Sequence, residues 1–232
     1  MRFYKIRILV LSSLIGLFLD FFIGCGKDNY SAPESVISGQ ITYKGSPLYL
    51  KGTDEAIQLQ LYQEGYDLND HIPVYVNQEG KFNVKTFDGQ YKLITRNNNG
   101  PWENQTDTLE IDLKGSFSDI NYEVTPYFWI DKNDVELDNS KHLTGSIEIQ
   151  KVVETASLDY VMVLVSKTQF VDNQSNVYRE DIAVDEDDDI THIDISEDLS
   201  SILEEHDNLY VRIGVQAKGA DQALYTEVKK IK

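Results

Sequence analysis

From residue 36 onward the chain runs in short apolar and polar alternations broken by turn residues. Segments 36–43, 57–62, 72–76, 81–84, 89–95, 108–113 and 120–124 carry the two-residue period of strands. The breaks between them are Lys44-Gly45-Ser46-Pro47, Gln78-Glu79-Gly80, Asp88-Gly89 and Asn97-Asn98-Asn99-Gly100-Pro101. Gly and Asn tolerate the positive φ that tight turns require, and Pro presets φ. The second half repeats the pattern at 143–153, 158–166, 177–184, 190–195, 209–218 and 224–231. Residues 210–217 alternate cleanly. Residues 158–165 are almost continuously apolar, which predicts a central strand covered on both faces. One helical turn is predicted at 197–205, with Ser196 as its cap and Glu197 and Asp198 at the positive end of its dipole. All five prolines lie at or before Pro126, so the change at Thr125-Pro126 marks a domain boundary. The predicted fold is all-β: two β-sandwich domains in tandem, over 36–124 and 126–232.

The first 24 residues follow a different rule. Arg2, Lys5 and Arg7 precede a twelve-residue uncharged apolar run, 8–19, and the only cysteine, Cys25, stands just beyond it behind the small Gly24. A bilayer span takes about 20 apolar residues, so this run is read as a signal peptide, 1–24. The Gly24-Cys25 junction resembles the lipobox of bacterial lipoproteins. That resemblance implies diacylation of Cys25, a lipidated tether over 25–35, and attachment to a membrane through the N-terminal anchor. The mature start, Cys25-Gly26-Lys27-Asp28-Asn29, resembles the export signal of Bacteroidetes-type lipoproteins. It implies an outer-membrane protein exposed at the cell surface.

Charge narrows the partners. There are 21 Lys+Arg against 39 Asp+Glu, a net charge of −18. Losing the signal peptide removes three basic residues and one acidic residue, which takes the body to −20. Nucleic acid is excluded as a partner, because phosphate binding needs clustered Lys and Arg. One cysteine supports neither an internal disulfide nor a thiolate zinc site.

Two resemblances follow from quoted residues. The run Ser38-Gly39-Gln40-Ile41-Thr42-Tyr43-Lys44-Gly45-Ser46-Pro47-Leu48, then Gln78-Glu79-Gly80-Lys81-Phe82 and Phe87-Asp88-Gly89-Gln90-Tyr91-Lys92-Leu93, resembles the carboxypeptidase-regulatory or transthyretin-like sandwich. In that frame Phe82 and Tyr91 point inward and Gly80 sits in a hairpin turn. Absence of a Cys…Trp…Cys pattern makes the second domain immunoglobulin-like only in the loose, fibronectin-type sense. More narrowly, Leu61 through Tyr66 before Ile72-Pro73-Val74, the junction Val124-Thr125-Pro126-Tyr127-Phe128-Trp129-Ile130, and Leu209 through Val215 resemble a Bacteroidetes lipoprotein family known as domain of unknown function 3823. The resemblance implies a two-domain surface lipoprotein encoded beside glycan-uptake systems of the starch-utilisation type. It establishes no activity.

Catalytic patterns are missing from the sequence. There is no Gly-x-Ser-x-Gly, no His-Glu-x-x-His, no P-loop and no dinucleotide fingerprint. The chain is therefore expected to be no enzyme and to take no cofactor. Glycan contacts are expected from rings in polar loops, since sugars stack their C–H faces on aromatic faces. Trp102, Tyr62 and Tyr66 are the candidates. Trp129 and Tyr127 are expected to pack between the domains. Thr108, in Asp107-Thr108-Leu109, resembles a short O-glycosylation acceptor. The run Asp185-Glu186-Asp187-Asp188-Asp189 lacks the EF-hand order and reads foremost as a solvated loop, with Asp185, Asp187 and Asp189 as weak calcium candidates. The expected function is non-catalytic binding of polysaccharide, or support of outer-membrane glycan-uptake proteins. The alternative is a spacer or adhesion subunit making only protein–protein contacts. A binder should expose Trp102 in a concave polar patch, whereas a spacer should bury it.

Overall fold

The computed structural model describes residues 31–65, 67, 70–185 and 189–232. Cys25, Tyr66 and Asp187 lie outside the described residues. Residues 34–232 form one compact unit, and it contains two sandwiches.

The first sandwich is built on β1 (Ser35–Tyr43). Antiparallel β2 (Ser46–Pro47) and β5 (Lys81–Thr86) pair with different stretches of it. On its other edge β8 (Ser116–Glu123) runs parallel. The opposing sheet is antiparallel in the order β4 (His71–Tyr75), β3 (Gln58–Gln63), β6 (Gly89–Thr95) and β7 (Leu109–Leu113). Alternation in β1 and β3 sends Ile37, Ile41, Leu59 and Leu61 into the core, where Phe82 and Tyr91 join them as expected. Gly39 is required by packing: a Cβ there would lie 2.7 Å from the Phe82 ring and 2.4 Å from the Ile120 carbonyl. Gly80 turns the hairpin at φ +72.

The second sandwich has β11 (His142–Lys151) between β14 (Ile193–Asp198) on one edge and β9 (Phe128–Asn133) and β10 (Glu136–Leu137) on the other. Its partner sheet is β13 (Tyr178–Ala183), β12 (Leu158–Ser166) and β15 (Tyr210–Ala217), closed by β16 (Leu224–Tyr225) and β17 (Lys229–Lys230). Ile147, Val161, Val163, Ile213 and Val215 fill the space between the sheets. The other face of β12 is covered too: Met162 and Leu164 pack with Val171, Ala223 and Tyr225 in a separate cluster. That double burial is why β12 reads as a continuous apolar run.

The helix differs from expectation. Residues 196–198 stay in β14, pairing with Thr144, Leu143 and His142, and only Ser200–Glu205 is helical (α1). The ladder wins because it buries Ile195 and lets Tyr178 donate to Glu197. Ser196 therefore caps nothing, and the Asp198 carboxylate accepts the Ser200 N–H at 2.9 Å instead.

Arg212 joins the two sandwiches. It is 1% exposed. Its Nε donates to the Thr226 carbonyl at 2.8 Å, Nη1 to Leu50 at 2.8 Å and Val171 at 3.1 Å, and Nη2 to Gln78 at 3.1 Å. Leu50 and Gln78 belong to the first sandwich; Val171 and Thr226 belong to the second. The guanidinium also lies 4.5 Å from the centroid of the Tyr225 ring. Burial pulls its pKa down to about 10, and at neutral pH it stays charged. Nearby Asp172, also 1% exposed, accepts from Thr53 Oγ1 at 2.6 Å and from the N–H groups of Gln174 and Ser175 at 2.9 Å. Leu224 completes the bond between domains by packing into the core of the first sandwich.

Candidate functional site

Beside this joint lies a groove of about 370 Å³. Three segments distant in sequence line it: 46–49, 129–133 and 224–227. The turn after β1 supplies Ser46, Pro47 and Tyr49, and Tyr49 is placed by its carbonyl accepting the Tyr225 N–H at 3.0 Å. Strand β9 supplies Trp129, Asp131, Lys132 and Asn133. The pairing of β9 with β11 skips Asp131, since Lys132 faces Glu148 and Ile130 faces Ile149. Such a bulge re-aims side chains. Asp131 lines this groove and also a second hollow on the second sandwich.

Trp129 is half-buried. It packs against the first core, and its ring centroid lies 5.5 Å from that of Tyr43 at 52°. Tyr49 is half-buried as well, and its hydroxyl sits above its ordinary pKa, by burial first and then by the charge and hydrogen bond of Glu227. At neutral pH it remains a protonated phenol. Lys132 Nζ is engaged by Asp134 at 2.9 Å and Glu148 at 3.4 Å, which leaves Ser46, Asp131, Asn133 and Glu227 as the polar rim. Two fixed rings with a rim of hydroxyl, amide and carboxylate can present a stacking face together with donors and acceptors.

Trp102 is not part of it. The expectation of an exposed ring is corrected: Trp102 is 3% exposed and lies in the core of the first sandwich. The asparagines around it are satisfied internally rather than by solvent. Asn99 accepts the Gln58 N–H at 2.8 Å and donates to the Ala56 carbonyl at 2.7 Å, and Asn104 binds Asn98. Gly100 lies against the indole, where a Cβ would come within 2.4 Å of the ring. Trp102 also bridges to Pro126.

Tyr62 falls within β3 rather than in a loop. It is half-buried, its ring lies beside His71 with centroids 6.0 Å apart, and it is away from the groove. Thr108 is exposed in the extended segment just before β7. Asp189 accepts from the N–H and hydroxyl of Thr191, which lowers its pKa. Among the described residues no group of three or more His, Cys, Asp or Glu is placed to hold a metal. Trp129 does pack at the joint, as expected, but its half-exposure in a groove was not foreseen.

The family model described as the N-terminal domain of DUF3823, a protein of unknown function, matches residues 35–125. The model for the C-terminal DUF3823 domain, also of unknown function, matches 128–230. A comparison with curated proteins gives no match. The crystal structure of a DUF3823 family protein from Parabacteroides merdae is 43% identical, with a TM-score of 0.80 over 87% of this chain and 100% of that one. A second, from Bacteroides ovatus, is 27% identical, with a TM-score of 0.74 over 85% of this chain and 98% of that one. A Bacteroides uniformis structure described as a "putative carbohydrate binding protein" is 17% identical, with a TM-score of 0.67 over 86% and 99%, and shows the shared fold alone. With both domain models covering nearly all of residues 35–230, the chain belongs to the DUF3823 family.

Proposed function

We propose that this protein binds neutral polysaccharide, without catalysis, in the groove at the joint of its sandwiches. The observation that carries the reading is the pair of half-buried rings, Trp129 and Tyr49, set among Ser46, Asp131, Asn133 and Glu227. Sugar rings offer C–H faces to aromatic rings, and their hydroxyls match groups that both donate and accept. A net charge of −18 opposes acidic glycans, so the ligand is uncharged. In affinity electrophoresis through soluble starch, β-glucan, xyloglucan and galactomannan, the full chain in mild detergent should be retarded by at least one. Trp129→Ala should weaken that retention by roughly tenfold, about 1.4 kcal/mol, through loss of the larger stacking face. Tyr49→Phe, which keeps the ring, should weaken it less. Wild-type mobility unchanged in all four gels would sink the reading.

The second reading, a spacer making only protein contacts, has two observations in its favour. Trp102 is buried, and Arg212 ties the sandwiches into one body. Absence of any retention would promote it.

In the same proposal Cys25 is the lipid attachment point, which places the body at the outer membrane beside glycan-uptake proteins. Two or three acyl chains bury enough methylenes, at about 0.8 kcal/mol each, for stable anchoring. Among the described residues no helix is long and apolar enough to cross a membrane. Cys25→Ser should move the protein from the membrane fraction to the soluble one, and an unchanged distribution would refute the anchor.

A further inference from the structure

The outward face of the first sandwich carries a second patch, of about 650 Å³, that the groove does not use. Strand alternation builds it. In β1 the inward residues are Ile37 and Ile41, so Ser38 and Gln40 face out. Ser38 pairs with Asn83 of β5, and Gln40 pairs with Asn121 of β8. The inward positions beside them, Phe82 and Ile120, are buried. The result is a row of amides laid across three strands.

Two features turn the row into a site rather than an ordinary wet sheet. Tyr75 lines one end of it and is 40% exposed, one of four large apolar or aromatic side chains so exposed among the described residues. The Glu55 carboxylate beside its hydroxyl raises its pKa. At the other end β8 carries one extra residue opposite the stretch Ile37–Gly39, and Asp119 there adopts φ +61. Asp tolerates that region better than most residues, and a bulge of this kind re-aims the side chain beside it.

We infer that the Tyr75 face, with Gln40, Asn77, Asn83, Asn121 and Asp119, is a second saccharide site that takes a flat, uncharged glycan chain across β5, β1 and β8. It rests on the polysaccharide-binding reading above and extends it to a separate surface. The amides carry the chemistry. Each offers both a donor and an acceptor, as sugar hydroxyls do. Gln40 is held by donating to the Glu79 carbonyl at 2.8 Å, and Asn77 by accepting from the N–H groups of Glu79 and Lys81 at 3.2 and 2.8 Å. Asn83 and Asn121 make no side-chain hydrogen bond among the described residues, so their amides are open to a ligand. The charged side chains of the patch are Lys81 and Asp119, which balance, and an ionic ligand gains nothing there. Gln40 lies three residues before Tyr43, which pairs with the groove residue Ser46. Three residues is an odd step along a strand, so the two surfaces lie about 10 Å apart on opposite faces of β1 and are separate sites.

The test uses the full chain in mild detergent, in gels holding the polysaccharide that retards the wild type. Four proteins are compared: wild type, Trp129→Ala, Tyr75→Ala/Asn83→Ala, and the combination. Tyr75 and Asn83 are exposed, so the double variant should melt with the wild type and report binding alone. Each single-surface variant should keep weakened retention, and the combination should lose it by a further tenfold or more, as expected when two linked contacts are both removed. If Tyr75→Ala/Asn83→Ala binds like the wild type, the second site is overturned and the groove stands. If Trp129→Ala binds like the wild type while the Tyr75 variant loses binding, the groove is overturned and the sheet face stands. If the wild type is not retarded at all, both fall together.

Discussion

Arg212→Ala should destabilise the folded body by roughly 3–5 kcal/mol, a large share of the 5–15 kcal/mol that holds a typical domain together. The side chain donates to four carbonyls. Removing it leaves buried acceptors without donors, opens a cavity beside Tyr225, and leaves the buried Asp172 without the positive charge near it. At about 2–4 °C per kcal/mol for a body of this size, the melting temperature should fall by roughly 10 °C. A second signature separates this from ordinary core damage. The acceptors divide between sandwiches, so the wild type should melt in one transition and the variant in two. Arg212→Lys should rescue little, because one ammonium cannot reach a fan of carbonyls laid out for a planar fork. A melting temperature within 2–3 °C of the wild type, with one transition retained, would refute the role.

Trp102→Ala should destabilise by a comparable amount, roughly 3–5 kcal/mol, through the cavity it leaves in the first sandwich. The indole packs against Gly100, and the backbone of Trp102 bridges to Pro126 at the start of the second domain. Calorimetry gives the first check. The second is retention on polysaccharide measured well below the melting point, which should match the wild type. Reduced retention by a fully folded Trp102→Ala protein would return this residue to the binding surface.

How much of this was legible in the sequence varies with how local the determining contacts are. Strands β6 and β12 coincide with their expected bounds, because alternation in one and continuous apolarity in the other come from what each strand covers. β9 was missed. Its bulge at Asp131 breaks the two-residue period over six residues, and the short period signal disappears with it. Trp102 misled for a different reason. A polar loop normally faces solvent, but here the asparagines hydrogen-bond to one another and to the backbone of β3 and its approach, and the glycine makes room for the indole. Composition cannot distinguish an amide bonded to water from one bonded to its neighbour.

Arg212 sits on the polar half of a clean alternation, Tyr210, Arg212, Gly214 and Gln216, which in isolation indicates a wet face. The second domain's outer face meets the first domain instead. No local pattern encodes that contact. The groove was hidden on the same grounds: its three segments are remote in sequence, and only the tertiary fold brings Tyr49 and Trp129 to one rim. Tyr43, Tyr49 and Trp129 carry the only early hint, as aromatics placed beside turns and the domain junction.

The parallel pairing of β1 with β8 bears on how the protein takes mechanical load. A pull applied ahead of Ser35 and resisted at the second domain, which follows β8, would draw β1 and its parallel neighbour β8 past one another along their length. The hydrogen bonds of β1 to β8 on one side and β5 on the other lie across that direction. They are loaded together in shear rather than peeled one at a time. A strand clamped along both edges yields only when many bonds fail at once, so the first sandwich is built to stay folded while tension passes through it.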